Sequence, residues 1–95
     1  MKRDIFQDYV DKVTDHFGIS REQLFAKRRD QSLVDARHTL YFLSNQRGIT
    51  NTYIKSYMSE YGHDIGLSSI GHGVKRMTNE IKNDPDYATL IDKLK

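Results

Sequence analysis

Ile70, Val74, Met77 and Ile81 lie four, three and four residues apart, and Ile5, Phe6, Tyr9, Val10, Val13 and Phe17 recur every three to four residues with Asp4, Asp8, Asp11 and Lys12 between them. Apolar residues at that period line one side of a helix, whereas a half-buried strand needs alternation in twos, which no stretch of the chain shows. Each amphipathic helix has one face to bury and must bury it against another. The expected fold class is therefore all-α, with five to six helices sharing a core. A chain of 95 residues is long enough for one modest core and not for two, so a single domain spanning 1–95 is expected.

The punctuation between the apolar stripes sets the helix ends. Gly18 is a left-handed stop after a first helix of about residues 4–17. Ser20-Arg21-Glu22-Gln23 has the spacing of a capping box, opening a short second helix to about Ala26 that gives Leu24 and Phe25 to the core. Lys27-Arg28-Arg29-Asp30-Gln31 has no apolar member and reads as an exposed connector. Ser32 then caps a third, central helix, Leu33 to Gln46, burying Leu33, Ala36, Leu40 and Leu43, with Val34, Tyr41 and Phe42 widening the face and Gly48 ending it. Thr50 or Asn51 caps a fourth helix carrying Ile54, Tyr57, Met58 and Tyr61, closed by Gly62. His63-Asp64-Ile65-Gly66 connects to the fifth, and the only proline, Pro85, marks a turn before a short last helix bearing Tyr87, Leu90, Ile91 and Leu94. Gly71 and Gly73 fall inside the fifth helix, where each costs roughly 1 kcal/mol relative to alanine. Close approach of a neighbouring helix, or of a DNA backbone, is the expected compensation.

Several classes of chemistry have no support. With no cysteine there is no disulfide, thiolate metal site or cysteine nucleophile. His16, His38, His63 and His72 have no paired metal-ligand spacing and read as surface or internally satisfied histidines. No phosphate-cradling glycine loop or dinucleotide fingerprint is present, and Tyr41, Tyr53, Tyr57, Tyr61 and Tyr87 read as core and core-edge residues. The expectation is a chain that is not an enzyme and uses no cofactor or metal. Its first residues alternate charged with apolar side chains, unlike a signal peptide, and no apolar run is long enough for a membrane span, so a cytoplasmic location is expected.

The formal net charge of +2 argues little; its distribution argues more. Lys27, Arg28 and Arg29 are consecutive, Arg37 follows, and Lys75 and Arg76 form a second basic spot, while acids collect near both ends of the chain. The fourth and fifth helices, joined by a short glycine-containing connection, have the order of a helix-turn-helix. The inward stripe of the fifth leaves Ser68, Ser69, His72, Lys75 and Arg76 outside, with short hydroxyls at the N-terminal tip and longer basic groups beyond. Such a tip suits base edges and phosphates; equally, two serines can simply start a helix that two basic residues keep soluble. For Lys27 to Arg29 the two readings are a solvated loop and an arm entering a minor groove, where a narrow channel rewards arginine. Asp30 opposes the second.

Taken in order, the Phe17-Gly18-Ile19 helix end, Leu24-Phe25-Ala26-Lys27-Arg28-Arg29, Ala36-Arg37-His38, the Tyr61-Gly62 turn and Ser68-Ser69-Ile70-Gly71-His72-Gly73-Val74-Lys75-Arg76 resemble domain IV of the DnaA replication initiators, over about residues 5 to 94. The resemblance implies a Trp-repressor-like helical fold that binds double-stranded DNA, its recognition helix in the major groove and its basic loop in the minor groove. By position it makes Arg29 the minor-groove arginine, Ser68 and Ser69 the base-facing hydroxyls, and Arg37, His38, Lys75 and Arg76 candidates for phosphate, with Lys55 also able to touch the backbone. The family's signature has an aspartate and a histidine ahead of two hydroxyl residues, an aliphatic residue, a variable position and a second histidine. Here Leu67 replaces the first histidine, leaving an apolar contact such as a thymine methyl.

Gln31 and Asp35 stand where the family is generally basic, which lowers the expected phosphate contribution, and the His63 to Gly66 segment is one residue longer than usual. The expectation is a divergent, stand-alone relative, such as a phage or mobile-element protein, that reads duplex DNA in control of replication or transcription. The competing expectation is an interaction module that keeps the fold without base reading and holds a protein partner through Leu67, Ile65 and nearby tyrosines. Non-specific nucleic-acid association through Lys27 to Arg29 alone is a third.

Overall fold

The chain begins directly in helix: in the computed structural model, which describes residues 1–95, α1 runs Lys2–Phe17. It starts two residues before the apolar stripe indicated, with Asp4 in its first turn accepting from the Met1 nitrogen at 2.7 Å. Gly18, at φ 64°, ends it in the left-handed conformation, its N–H donating to Asp15 O at 3.3 Å and that of Ile19 to Thr14 O at 3.1 Å. The second helix, α2 (Arg21–Phe25), opens on the expected capping box, with Gln23 N–H donating to the Ser20 hydroxyl and the Gln23 carboxamide accepting from Ser20 N–H.

The central helix, α3 (Gln31–Gln46), also starts earlier than expected, with Asp30 and not Ser32 at its cap position. Asp30 offers the helix no side-chain cap because its carboxylate is paired with Arg28 at 2.6 Å. Thr50 caps α4 (Asn51–Glu60), its hydroxyl accepting from Tyr53 N–H at 3.4 Å. The connection Tyr61–Gly66 leads into α5 (Leu67–Asn83), and Asp84 then caps α6 (Pro85–Leu94), whose first residue is the proline. Pro at that position sacrifices an N–H that has no helical partner anyway.

Six helices and no strand make the fold all-α. One cluster of 19 buried side chains takes members from every helix. α3 is central as its stripe suggested: it packs on α1, α2, α4 and, most extensively, α5. Leu33, Ala36, Leu40, Tyr41, Phe42 and Leu43 are all buried, and so are Ile70 and Met77 from α5, while Val74 and Ile81 are half-buried. The tyrosines divide as core and core-edge residues, except that Tyr53 is exposed with the Lys2 ammonium 4.4 Å from its ring centre. No helix is long and apolar enough to cross a membrane.

The two glycines of α5 answer differently to the same expectation. Gly73 is buried against α3: a Cβ there would lie 2.6 Å from His38 Cδ2 and 3.1 Å from Tyr41 Cδ2. Close helix approach accounts for it. Gly71, two residues away, has only Asn51 Nδ2 at 3.9 Å, so no neighbouring helix requires a glycine there.

Candidate nucleic-acid interface

Local sequence places two groups of charged and polar side chains around the N-terminal half of α3, one on its α2 side and one where it faces α5 and α6. The first surrounds the end of α2, a five-residue helix in which Gln23 O accepts from Ala26 N–H at 3.3 Å while the carbonyls of Leu24 and Ala26 need donors from outside the helix. Arg37 supplies them. It lies four residues after Leu33 and three before Leu40, within the apolar stripe of α3, and is 5% exposed. Its Nε donates to Leu24 O at 2.7 Å, one Nη to Arg28 O at 2.7 Å, and the other to Ala26 O at 2.5 Å and Gln23 O at 3.4 Å. The planar fork of a guanidinium can serve several carbonyls at once, which an ammonium cannot.

The phosphate role expected for Arg37 does not fit that placement: a guanidinium buried among four carbonyls acts as the internal brace of the loop Ala26–Asp30. Above it Lys27, Arg28 and Arg29 are exposed, Arg28 in its pair with Asp30, while Lys27 and Arg29 make no ion pair. Phe25, the one carbonyl near the end of α2 that Arg37 leaves, accepts from His63 Nδ1 at 3.2 Å. The Phe25 ring stacks on Tyr61 with centroids 4.3 Å apart and planes 3° from parallel. The connection into α5 is thereby fastened to the same helix end that carries the basic loop.

α5 leaves this junction with Gly66 at its cap position and no side-chain cap. Leu67, Ser68 and Ser69 are exposed, and the two hydroxyls take part in no internal hydrogen bond. The tip thus offers two free hydroxyls and uncapped N–H groups, beside a leucine that is 48% exposed. His72 and Lys75 are exposed further along, and Lys55 is exposed on α4.

The second group lies where α3 meets α5 and α6. Arg76 donates to Asp35 at 2.7 Å, lies 3.1 Å from His38 Nδ1 and reaches the Tyr87 hydroxyl at 3.4 Å. Asp35 also accepts from Gln31 Nε2 at 2.8 Å. Of the residues expected to face phosphate, Lys75 stands free, Arg76 is held in this network and His38 is half-buried beneath it. Sequence spacing gave no sign of the Asp35–Arg76 pair, because 41 residues separate its members. His63 was equally hidden, whereas the position of Arg37 in an apolar stripe did signal burial.

Burial, reinforced by the neighbouring Arg76 charge and by His72, lowers His38 to about 4. Burial together with the Arg37 charge lowers His63. Both imidazoles are neutral in the folded chain at neutral pH. His38 accepts from Arg76 through Nδ1, and His63 donates through its own. Because the folded-state values are depressed, the unfolded chain binds more protons below about pH 6.5, the ordinary histidine value. Stability is complete above that pH and falls as acid is added. Thermal melts should show the midpoint dropping between about pH 7 and pH 5, and His38→Asn, which keeps an acceptor for Arg76, should flatten the drop. An unchanged profile in both His38→Asn and His63→Asn would assign the effect to other groups. No set of three or more His, Asp or Glu side chains is arranged to hold a metal ion.

The arrangement defines a small all-α domain whose basic loop and longest helix are fastened to one junction. The chain is similar to the chromosomal replication initiator protein DnaA of Flavobacterium psychrophilum, with 27% identity over 96 aligned positions and 97% of the chain covered. It spans 19% of that protein's length. No family model matches the chain, and no solved structure matches it either.

Proposed function

We propose that this chain is a single DNA-binding domain that reads double-stranded DNA in a sequence-dependent way, in control of replication or transcription, and that it is not an enzyme. The observation that carries the reading is the outward tip of α5, where Ser68 and Ser69 keep both hydroxyls free at an uncapped helix start. Similarity to an initiator of replication along nearly the whole chain supports it.

In this reading α4 and α5 act as a helix-turn-helix. The tip of α5 enters the major groove, with Ser68 and Ser69 at base edges and Leu67 against a thymine methyl. Arg29 enters the adjacent minor groove, with Lys27 and Arg28 at its rim. His72, Lys75 and Lys55 lie against phosphates; Arg76 adds to them only when released from Asp35. His38, neutral and half-buried, contributes at most an N–H, and Arg37 acts from beneath the loop. The longest dimension of the domain, 33 Å, is close to one turn of B-DNA, about 34 Å, so one copy spans a major groove and a flanking minor groove. The domain would act in the cytoplasm.

Selection from a randomised pool of duplexes should return an enriched motif whose binding weakens with salt. Arg29→Ala should weaken that binding by about tenfold or more and relax the preference at the minor-groove positions. Ser68→Ala with Ser69→Ala should erode discrimination at the major-groove positions by about 1–3 kcal/mol. Return of an unenriched pool with no salt-sensitive binding would sink the proposal.

The exposed Leu67 favours a second reading, in which α5 presents an apolar contact to a protein partner and base reading is lost. A partner recovered from nuclease-treated lysate, and lost on Leu67→Ser, supports that reading over the first.

A further inference from the structure

If α5 contacts DNA as proposed, Arg76 faces two competing anions: the phosphate outside and the carboxylate of Asp35 inside. The carboxylate is already engaged. Asp35 and Arg76 are each about a quarter exposed, at 24% and 25%, and their 2.7 Å ion pair is supported on both flanks. Gln31 donates to the same Asp35 oxygen from one side, and Tyr87 of α6 meets the other Nη of Arg76. A pair shielded to that degree resists salt screening better than a surface pair. Arg76 is also the only basic residue of α5 with a carboxylate partner: Lys75 and Lys82 make none.

We infer that Asp35 is a latch that holds Arg76 against α3 and keeps the DNA affinity of this domain below what its basic residues would otherwise give. Asp35 is a positioning residue that touches no DNA; it sets whether the middle of α5 presents one cation, Lys75, or two. Opening the latch leaves α5 in place, since its packing rests on Ile70, Gly73 and Met77. It costs the ion pair and the contacts of Arg76 with His38 Nδ1 and the Tyr87 hydroxyl, and gains a phosphate contact. The inference rests on the DNA-binding reading.

The test is a double-mutant cycle read by duplex binding. Binding of a fluorescent mixed-sequence duplex is measured across a salt series for the unsubstituted chain, Asp35→Asn, Arg76→Ala and the double variant. Asparagine keeps an acceptor for Gln31 while removing the charge. Asp35→Asn is expected to bind about three- to tenfold more tightly near physiological salt, with a log-log salt slope steeper by about 0.9, the value of one further phosphate contact. Tyr87→Phe, which removes one hydroxyl and no charge, should shift affinity the same way by a smaller factor.

In the Arg76→Ala background the Asp35→Asn gain should vanish. If the gain persists there, removal of a negative charge explains it and the latch is refuted. Equal binding by Asp35→Asn and the unsubstituted chain, with the fold intact by circular dichroism, also overturns the inference and leaves the DNA-binding proposal standing. Failure of every variant to bind in a salt-sensitive way overturns both.

Discussion

Arg37→Met should lower the stability of the domain by about 3 kcal/mol or more, the largest loss expected from any single polar substitution. Methionine approximates the apolar stem of arginine, so the cost is electrostatic: the carbonyls of Leu24, Ala26 and Arg28 lose the guanidinium as donor, and Gln23 O keeps only Ala26 N–H. Buried polar groups left without partners cost about 1–3 kcal/mol each, partly relieved here because the loop can open to solvent. Lysine should recover little, since one ammonium cannot serve carbonyls spread over residues 23 to 28. Chemical denaturation provides the measurement. A second readout separates brace from contact: near-native stability with weakened duplex binding would show that Arg37 touches DNA directly.

Gly73→Val should unfold a substantial fraction of molecules, and Gly73→Ala should already cost up to about 2 kcal/mol. The methyl group of alanine would be driven to 2.6 Å from one His38 ring atom and 3.1 Å from another, with the fully buried Tyr41 ring equally close. Overpacking of that kind costs about 1–3 kcal/mol, offset by the roughly 1 kcal/mol that alanine gains over glycine in a helix. Gly71→Ala, on the same helix and half-buried with room for a methyl beside Asn51, should instead raise stability by about 0.5–1 kcal/mol. Opposite signs at two glycines two residues apart are the signature of one close helix contact. If Gly71→Ala is stabilising but weakens duplex binding, the glycine serves approach of a DNA backbone. A destabilising Gly71→Ala would contradict the open surroundings of that residue.

The helices were legible in the sequence because their causes are local. Three- and four-residue spacing, the Ser20 capping box, Gly18 and Pro85 each act within one turn of chain. Helix starts were less legible: α1 and α3 each begin two residues earlier than their apolar stripes indicated, and Asp30, at the cap position of α3, pairs with Arg28 instead of capping the helix. The exposed half of the candidate site, Lys27, Arg28, Arg29, Ser68 and Ser69, could be named from residue type and position. What sequence withheld was which cations are spoken for. The apolar stripe around Arg37 marks it as buried, but neither its carbonyl partners nor the carboxylate that holds Arg76 from 41 residues away is visible in the local sequence. Only the packing of α3 against its neighbours assigns those partners.

The junction at the end of α2 has a consequence for how binding energy accumulates. With Arg37 and His63 gripping adjacent carbonyls, the basic loop and the start of α5 cannot explore orientations independently. In the DNA complex proposed above, once either has found its groove the other is delivered to a fixed position, so its effective concentration is set by the junction and not by diffusion of a free arm. Two individually weak contacts then combine with little further loss of rotational freedom. On that proposal the same rigidity would make the pair a gauge of groove separation, rejecting a duplex over- or under-wound between the two contacts even when its bases are correct.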